Sequence, residues 1–259
     1  MQQFHTSGYV IERGLILEHE IETLRRDLMA AARAGFPDDS ITPRRGPEYR
    51  DDGLNQYPRM MHPHLTHPSA QACLLDPRIT SIVGQFLGEE PLAAQSIFYF
   101  KPPGARGQAL HQDNFYLRVE PGTCIAAWVA CDVVDRDNGG LEIVPGTHAM
   151  DLFCPEEADE SRSFSPQYVP PPEGLPRVPI DMQPGDVLFF NGSLVHGSEP
   201  NTTVDRFRRS FVCHYVGVSS KAIAKYYPTM NLAGERVQLA EAQGGGPCGE
   251  YAEIPSSMS

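Results

Sequence analysis

The segment QALHQDNFYL places His111 and Asp113 two residues apart in a stretch that favours extended structure. Alternate side chains of a strand face the same side, so the imidazole and the carboxylate could meet at one point while Gln112 faces away. Imidazole nitrogen and carboxylate oxygen together suit Fe(II), and two histidines with one carboxylate form the facial ligand set of non-heme iron sites. The sequence therefore raises the hypothesis of a metal site that needs one further histidine.

Three histidines further along the chain could complete this set, namely His148, His196 and His214. The favoured candidate is His196, which ends the segment QPGDVLFFNGSLVH and is followed by Gly-Ser. A Pro-Gly-Asp turn, an apolar strand and small flanking residues leave room for a ligand beside it. We interpret His148, in a turn, and His214, in a strand, as structural residues.

A second histidine group lies in HPHLTHP and comprises His62, His64 and His67. Its prolines disfavour the regular spacing of ligands that a second metal site would need. The segment TPRRGPEYR carries Arg44, Arg45 and Arg50, which suit a solvated loop or a local anion site.

Two arginines, Arg208 and Arg209, open the apolar segment RRSFVCHY. A buried guanidinium there could make two parallel hydrogen bonds to one carboxylate of a small dianion. The two side chains would face opposite sides of a strand, so only one of them can do so. The pattern leaves the choice open. Iron ligands, a carboxylate clamp and an apolar barrel are together what a 2-oxoglutarate dioxygenase requires.

Two helices precede the apolar segments. Apolar residues recur at three- and four-residue steps from Leu17 to Ala32, which predicts an amphipathic helix that ends near Gly35 and follows a short strand, GYVIE. A second helix is predicted after the cap Asp76 and is expected to stop at Gly88. Short strand-like runs separated by turn signals then follow from Leu92, which predicts an antiparallel sandwich or barrel.

We expect one domain over residues 1–259, with a barrel core at about 91–218. The acidic, proline-rich stretch 151–179 interrupts the strands, and its composition predicts neither strand nor core helix. A long insertion of this kind is either disordered or a lid over an active site. The chain after Tyr227, which includes GGGPCG, is expected to be loosely structured.

The order of these motifs resembles the phytanoyl-CoA dioxygenase family of Fe(II)/2-oxoglutarate oxygenases. The resemblance rests on HQD, on AAWVACDVVDRDNGGLEIVPGTH, on PGDVLFFNGSLVHGS and on the arginine-led strand, and it spans roughly residues 91–216. It implies a mainly β fold with flanking helices, a double-stranded β-helix or jelly-roll barrel whose mouth holds the metal.

The resemblance also implies roles for individual residues. His111, Asp113 and His196 would hold Fe(II), and Ser198 with Arg208 would hold the distal carboxylate of 2-oxoglutarate. The spacing from His196 to Arg208 is one residue longer than the family pattern, and the match to RRSFVCHY selects Arg208 over its neighbour.

Five further residues are expected around the cosubstrate and the substrate. Trp128 would lie beside 2-oxoglutarate, and Ile97 and Lys101 would fall on the strand that leads into the site. Phe115 and Tyr116 would line the substrate pocket together with the insertion.

The implied reaction is hydroxylation of an aliphatic C–H bond of a small or medium metabolite, with O₂ consumed and succinate and CO₂ released. An aliphatic halogenase of this family would carry Ala or Gly in place of Asp113, although desaturation and ring chemistry stay open. The alternatives are a cupin-like Zn²⁺ or Mn²⁺ hydrolase or isomerase, and a barrel that binds a small ligand without turnover.

Composition limits the partners. The formal net charge of −12 disfavours nucleic acid, which is bound through clustered Lys and Arg, and it also disfavours lipid-CoA substrates. The first residues lack the features of a signal peptide and no apolar run is long enough for a membrane span, so we expect a cytoplasmic protein without a membrane partner. The six cysteines form no CxxC pair and suit buried free thiols. A small-molecule substrate in secondary metabolism fits best, and the sequence does not specify the oligomeric state.

Overall fold

The computed structural model of the chain describes residues 2–34 and 57–242. Ten of the strands in the described residues lie in two main sheets, and the other four form two small two-stranded sheets. The bounds of the strands are β1 (Tyr9–Glu12), β2 (Met60–Met61), β3 (Pro91–Tyr99), β4 (Gln108–His111), β5 (Ile125–Ala130), β6 (Leu141–Ile143), β7 (Glu156–Glu157), β8 (Gln167–Tyr168), β9 (Val178–Pro179), β10 (Val187–Asn191), β11 (His196–Ser198), β12 (Ser210–Gly217), β13 (Ala222–Ile223) and β14 (Ala240–Glu241). The two small sheets pair β7 with β8 and β13 with β14.

The larger sheet has the strand order β1-β10-β5-β12-β3-β2, and the smaller one has the order β4-β11-β6-β9. Every pair of neighbours in these two sheets is antiparallel. Neighbouring strands are distant in sequence, as in the two facing sheets of a jelly roll. The predicted mainly β jelly-roll class is confirmed. The predicted core limits of 91–218 leave out β1 and β2, which form the two edges of the larger sheet.

Most of the helices cover one face of the larger sheet. Their bounds are α1 (Gln2–Ser7), α2 (Glu18–Ala34), α3 (Pro68–Leu74), α4 (Pro77–Leu87) and α5 (Asp113–Leu117), with short 3-10 turns at Pro63–Leu65 and Thr147–Ala149. A core cluster joins α2, α3 and α4 to the outward side chains of the sheet, among them Phe189, Phe211 and Tyr215. A second cluster fills the space between the sheets and includes Trp128, Ile143, Phe190 and Val212.

The structure contains both predicted helices, α2 and α4, with the features that the sequence predicts for them. The Asp76 carboxylate accepts a hydrogen bond from the Arg78 amide, Pro77 occupies the first turn, and Gly88 ends α4 with φ +73°, a conformation that suits glycine. In α2 the predicted apolar face is buried at Ile21, Leu24 and Leu28. Leu17 is 52% exposed because it precedes the first turn.

The insertion 151–179 differs from its prediction, because it contains the two-residue strands β7, β8 and β9. It is also attached to β4: the Gly107 amide donates to the Arg162 carbonyl and the Val169 amide to the Leu110 carbonyl. Val169 is buried with Leu110, Val144 and Val195. Backbone pairing with β4 therefore gives order to a segment that has little core of its own.

The chain after Tyr227 is more ordered than predicted as far as Ala242. Two backbone hydrogen bonds join Met230 to Ala93, since the amide of each residue donates to the carbonyl of the other. Further along, β14 pairs in parallel with β13. The GGGPCG segment lies outside the described residues.

Of the cysteines, Cys124, Cys131 and Cys213 are buried and free, and Cys73 is free and half-buried. The expectation of free thiols does not hold for Cys154, which is disulfide-bonded.

Candidate metal and cosubstrate site

Two histidines meet across neighbouring strands of the smaller sheet. His111 ends β4 and lies directly opposite His196, the first residue of β11. Their ring centroids are 4.3 Å apart. In each ring, Nδ1 lies at hydrogen-bonding distance from the backbone carbonyl two residues earlier. The distance is 2.9 Å from His111 Nδ1 to the Ala109 oxygen and 3.0 Å from His196 Nδ1 to the Leu194 oxygen. An Nδ1 proton that is used in this way leaves the Nε2 lone pair of each ring for a metal.

Asp113 brings a carboxylate to the same point. Its Oδ1 lies 3.5 Å from His111 Nε2 and 3.7 Å from His196 Nε2. The strand does not continue through this residue as expected, because α5 begins at Asp113. Gln112 is nevertheless extended, at φ −123° and ψ 126°, so His111 and Asp113 still face the same side. The Gln112 side chain contacts the Ser193 carbonyl and the Phe153 amide instead.

These three side chains are the one group of metal-ligating residues found within the described parts of the chain, with ligand atoms that lie within 4.8 Å of one another. All three are buried, His111 at 6% exposure, Asp113 at 8% and His196 at 4%. Burial lowers the pKa of His196 to about 4, although Asp113 opposes the shift. Burial alone would raise the pKa of Asp113, but His196 and His214 outweigh it and hold that pKa well below its usual range. Neutral imidazoles and an ionised carboxylate are the forms that bind a metal.

Arg208 is buried at 3% exposure just before β12. Its Nε donates to the Gly139 carbonyl at 3.1 Å and its Nη1 to the Ser210 hydroxyl at 2.9 Å, and its guanidinium lies 5.3 Å from the centroid of the Trp128 ring. Burial lowers the pKa of Arg208 to about 10, so the side chain keeps its charge at neutral pH.

Lys101 places a second cation on the same carbonyl. Its Nζ donates to the Gly139 carbonyl and to the Ser198 hydroxyl, each at 2.9 Å, and to the Glu199 carbonyl. It lies two residues beyond the end of β3, with φ +36°, and not on the strand as expected. Burial, with Arg208 nearby, lowers its pKa well below the usual range, but the three oxygens around Nζ match the three donors of the ammonium form, which a bound anion would stabilise further. A Cβ on Gly139 would lie 2.6 Å from Lys101 Cε, so only glycine allows this approach.

Neither Arg208 nor Lys101 forms an ion pair with a carboxylate of the described residues; both are satisfied by carbonyl and hydroxyl oxygens. Two buried cations that share one carbonyl favour the binding of an anion. Gln108 connects these two side chains to the histidines. Its backbone N–H donates to Ser198 Oγ at 3.3 Å, and its side-chain Nε2 lies 3.1 Å from His111 Nε2. Arginine and lysine side chains of this kind bind carboxylate groups.

Arg209 faces the opposite way and has a fixed partner. Its Nε and Nη2 each lie 2.7 Å from an oxygen of Asp132, a two-pronged ion pair. Its guanidinium also lies over the Phe207 ring at 5.2 Å. Of the two arginines, only Arg208 faces the barrel interior.

The other expected pocket residues are Ile97, Tyr116 and Phe115. Ile97 is 7% exposed on β3, opposite Val212 of β12 and so on the interior face. The Tyr116 ring is 6.0 Å from the His111 ring, and burial raises the pKa of Tyr116 to about 12. Phe115 is 9% exposed and its ring lies 5.3 Å from that of Tyr116.

The sequence interpretation missed the role of His214. Its Nε2 lies 2.9 Å from Asp113 Oδ2, although the two residues are 101 positions apart. The available signal was strand alternation, since His214 shares the face of Arg208 and Val212. Gln108 and Gly139 were also missed.

The remaining histidines lie elsewhere. His64 bonds to Ser96 Oγ through Nδ1 at 2.7 Å, His67 Nδ1 lies 2.9 Å from Thr66 Oγ1, and His148 contacts the His5 carbonyl. The His62 ring lies 5.7 Å from the His64 ring. The arginines of TPRRGPEYR, at positions 44, 45 and 50, are outside the described residues.

A family model described as phytanoyl-CoA dioxygenase (PhyH) matches residues 4–210. The chain belongs to the phytanoyl-CoA dioxygenase family. The peroxisomal phytanoyl-CoA dioxygenase of Rattus norvegicus is 27% identical over 256 residues, which cover 93% of this chain and 75% of the rat protein. The human protein of the same name is 33% identical over 150 residues, which cover 54% of this chain and 43% of that protein.

Solved structures agree on the fold. The 2-oxoglutarate-dependent carbocyclase SnoK from nogalamycin biosynthesis has a TM-score of 0.68 at 22% identity, with 85% of this chain and 83% of SnoK covered. EctD from S. alaskensis, solved with 2-oxoglutarate and 5-hydroxyectoine, has a TM-score of 0.65 at 22% identity, with 85% and 76% covered.

Family membership together with the His-Asp-His group identifies this chain as an Fe(II)- and 2-oxoglutarate-dependent dioxygenase that consumes O₂. None of the helices in the described residues is both long and apolar enough to cross a bilayer.

Proposed function

We propose that this dioxygenase hydroxylates an aliphatic C–H bond of a small or medium organic metabolite and converts 2-oxoglutarate and O₂ to succinate and CO₂. The observation that carries the proposal is the arrangement of Asp113 Oδ1 opposite the Nε2 atoms of His111 and His196, beside two buried cations that lack a carboxylate partner among the described residues. A hydrolase or isomerase on the same barrel has no need of a second anion site.

In this proposal His111, Asp113 and His196 hold Fe(II). When bound, Fe(II) with 2-oxoglutarate supplies the O₂ activation that removes hydrogen from the substrate and returns oxygen to the same carbon. These three side chains would hold Fe(II) and would leave it accessible to 2-oxoglutarate and O₂. Residue 113 is Asp and not the Ala or Gly that would leave room for a halide, which favours hydroxylation over halogenation.

The chain's own residues bind and orient the cosubstrate. Arg208 offers a planar fork of donors and Ser198 a hydroxyl to its distal carboxylate, and Lys101 adds charge from the side of Gly139. Trp128 and Ile97 supply an apolar wall that keeps water from this end of the site. Excluding water strengthens each of these charged contacts.

The substrate is expected on the Tyr116 side of the metal. Tyr116 borders His111, and Phe164 of the insertion lies 6.4 Å from the Tyr99 ring, so the insertion reaches the same side of the barrel. We propose that residues 151–179 form a lid over this space and that Phe115 and Tyr116 line it. The net charge of −12 disfavours a CoA ester and supports a small, uncharged or cationic metabolite.

Structural neighbours named as enzymes of nogalamycin biosynthesis support a role in secondary metabolism, although their likeness concerns the fold. They are named a carbocyclase and an epimerase, so ring closure and epimerisation are the second candidate chemistry. We expect the reaction to take place in the cytoplasm.

The test measures succinate from 2-oxoglutarate with Fe(II) and O₂, first without a substrate and then with candidate metabolites, followed by ¹⁸O₂ labelling of the product. Hydroxylation predicts one ¹⁸O atom in the product and one in succinate. Product without ¹⁸O would favour ring closure or epimerisation. Turnover without 2-oxoglutarate, or with Zn²⁺ in place of Fe(II), would support the hydrolase or isomerase, and absence of any turnover would support a ligand-binding barrel.

A further inference from the structure

The two oxygens of the Asp113 carboxylate have different neighbours. Oδ1 faces the Nε2 atoms of His111 and His196, at 3.5 Å and 3.7 Å. Oδ2 lies 2.9 Å from Nε2 of His214, which is itself only 3% exposed. One oxygen therefore faces the space between the two histidines, and the other is held by a third imidazole.

Nothing in the helix that carries Asp113 fixes this orientation. Asp113 is the first residue of α5, and the N-cap residue Gln112 makes no side-chain capping bond. A carboxylate at the start of a five-residue helix could rotate about its side-chain torsions. A partner on another element is needed to select one rotamer.

The larger sheet places His214 where it can do this. His214 lies on β12, opposite Gln95 of β3 and Ala126 of β5. The small side chain of Ala126 leaves room for an imidazole on the interior face. The pairing of β12 with β3 shifts register between His214 and Tyr215, so the alternation with β3 is interrupted immediately after the histidine.

The second nitrogen of His214 indicates the direction of the hydrogen bond. Nδ1 is buried and has no hydrogen-bond partner among the described residues. A proton on that atom would be a buried donor without an acceptor, which is costly, whereas a bare lone pair costs less. The proton is therefore assigned to Nε2, which donates to Asp113 Oδ2.

We infer that His214 is a positioning residue: by donating to Oδ2 it holds the Asp113 carboxylate so that Oδ1 alone faces the metal. The inference rests on the proposed metal site. Groups that hydrogen-bond to a metal ligand in this way set its orientation and basicity, and their loss typically weakens metal affinity about 10- to 100-fold.

The experiment titrates Co(II), an oxygen-stable probe, into the metal-free protein and follows both the dissociation constant and the visible absorption spectrum of the bound ion. His214→Leu removes the donor at similar volume. His214→Gln keeps an N–H near the position of Nε2. His64→Leu is the matched control, because His64 is another buried histidine at 3% exposure, bonded to Ser96 and not to the metal group.

We expect His214→Leu to weaken Co(II) binding about 10- to 100-fold and to change the spectrum. His214→Gln should recover most of the affinity, and His64→Leu should bind Co(II) as the wild type does. Wild-type affinity and spectrum in a folded His214→Leu protein would overturn the inference, as would equal losses in the His64→Leu control. If the wild type itself binds no Co(II), the proposed metal site fails and not merely the role of His214.

A measurement on the wild type covers the case in which His214→Leu does not fold. The ¹⁵N chemical shifts of the imidazole nitrogens distinguish the two tautomers. A proton on Nε2 of His214 is expected, and an unprotonated Nε2 would overturn the inference whatever the variants do.

Discussion

Replacing Arg208 by alanine should weaken the use of 2-oxoglutarate far more than replacing Arg209. Arg208 is 3% exposed, lies 5.3 Å from the Trp128 ring and has no carboxylate partner among the described residues. Removing one member of a buried, hydrogen-bonded charge pair costs about 3–5 kcal/mol, and since Lys101 remains beside the same carbonyl we expect about 2–4 kcal/mol. At about 1.4 kcal/mol per factor of ten, the apparent KM for 2-oxoglutarate should rise roughly 30- to 1000-fold.

The assay is succinate formation over a range of 2-oxoglutarate concentrations at saturating Fe(II). Arg208→Lys is a second informative variant, because it keeps the charge but loses the planar fork of donors. Its KM should lie between those of the wild type and Arg208→Ala.

Arg209→Ala is the matched control on the neighbouring residue. Its guanidinium pairs with Asp132, so its loss should leave the KM for 2-oxoglutarate nearly unchanged and lower the free energy of unfolding by about 1–3 kcal/mol. Arg25 Nη1, 3.3 Å from Asp132 Oδ1, would remain as a partial partner. A large rise in KM for Arg209→Ala with none for Arg208→Ala would refute the assignment of Arg208 to the cosubstrate. No rise in either variant would show that 2-oxoglutarate does not bind at this end of the barrel.

Three further predictions concern the metal site, the insertion and the first turn of α4. Asp113→Ala should abolish hydroxylation and leave the thermal unfolding transition cooperative, since Asp113 is not part of the hydrophobic clusters that form the core; full activity would contradict the metal-ligand assignment. Hydrogen exchange should be fast over 155–162 and 170–177 without substrate and slower with it, while Val169 stays protected; uniform protection equal to the barrel strands would exclude a lid. Arg78 outweighs the effect of burial and lowers the pKa of Asp76, so this carboxylate contributes stability above about pH 4 that is lost as pH falls towards its folded pKa. The urea-unfolding free energy of Asp76→Asn should therefore fall less steeply between pH 5 and 2, and an unchanged slope would contradict this.

The larger part of the site could be predicted because its signals are local. The spacing of His111 and Asp113 and the small residues after His196 are sequence patterns, and the structure brings these three side chains together. Alternation along the strand placed Arg208 and Arg209 on opposite faces but could not decide which face is the interior. That decision came from the pairing of β12 with β3 and β5, which turns Arg208 towards Trp128.

The limits of α2 and α4 and the strand-rich segments were determined by the sequence alone, because capping residues, glycine at positive φ and apolar periodicity act within a few residues, whereas α1, α3 and α5 were not predicted. Only the tertiary structure decided contacts between distant segments: β1 at the edge of the larger sheet, the attachment of the insertion to β4, and the hydrogen bond from His214 to Asp113. These contacts depend on which strands become neighbours and in what register, and no single segment carries that information. Local sequence patterns point to the three side chains of the proposed metal site, but the contact of His214 with one of them depends on the packing of the two sheets.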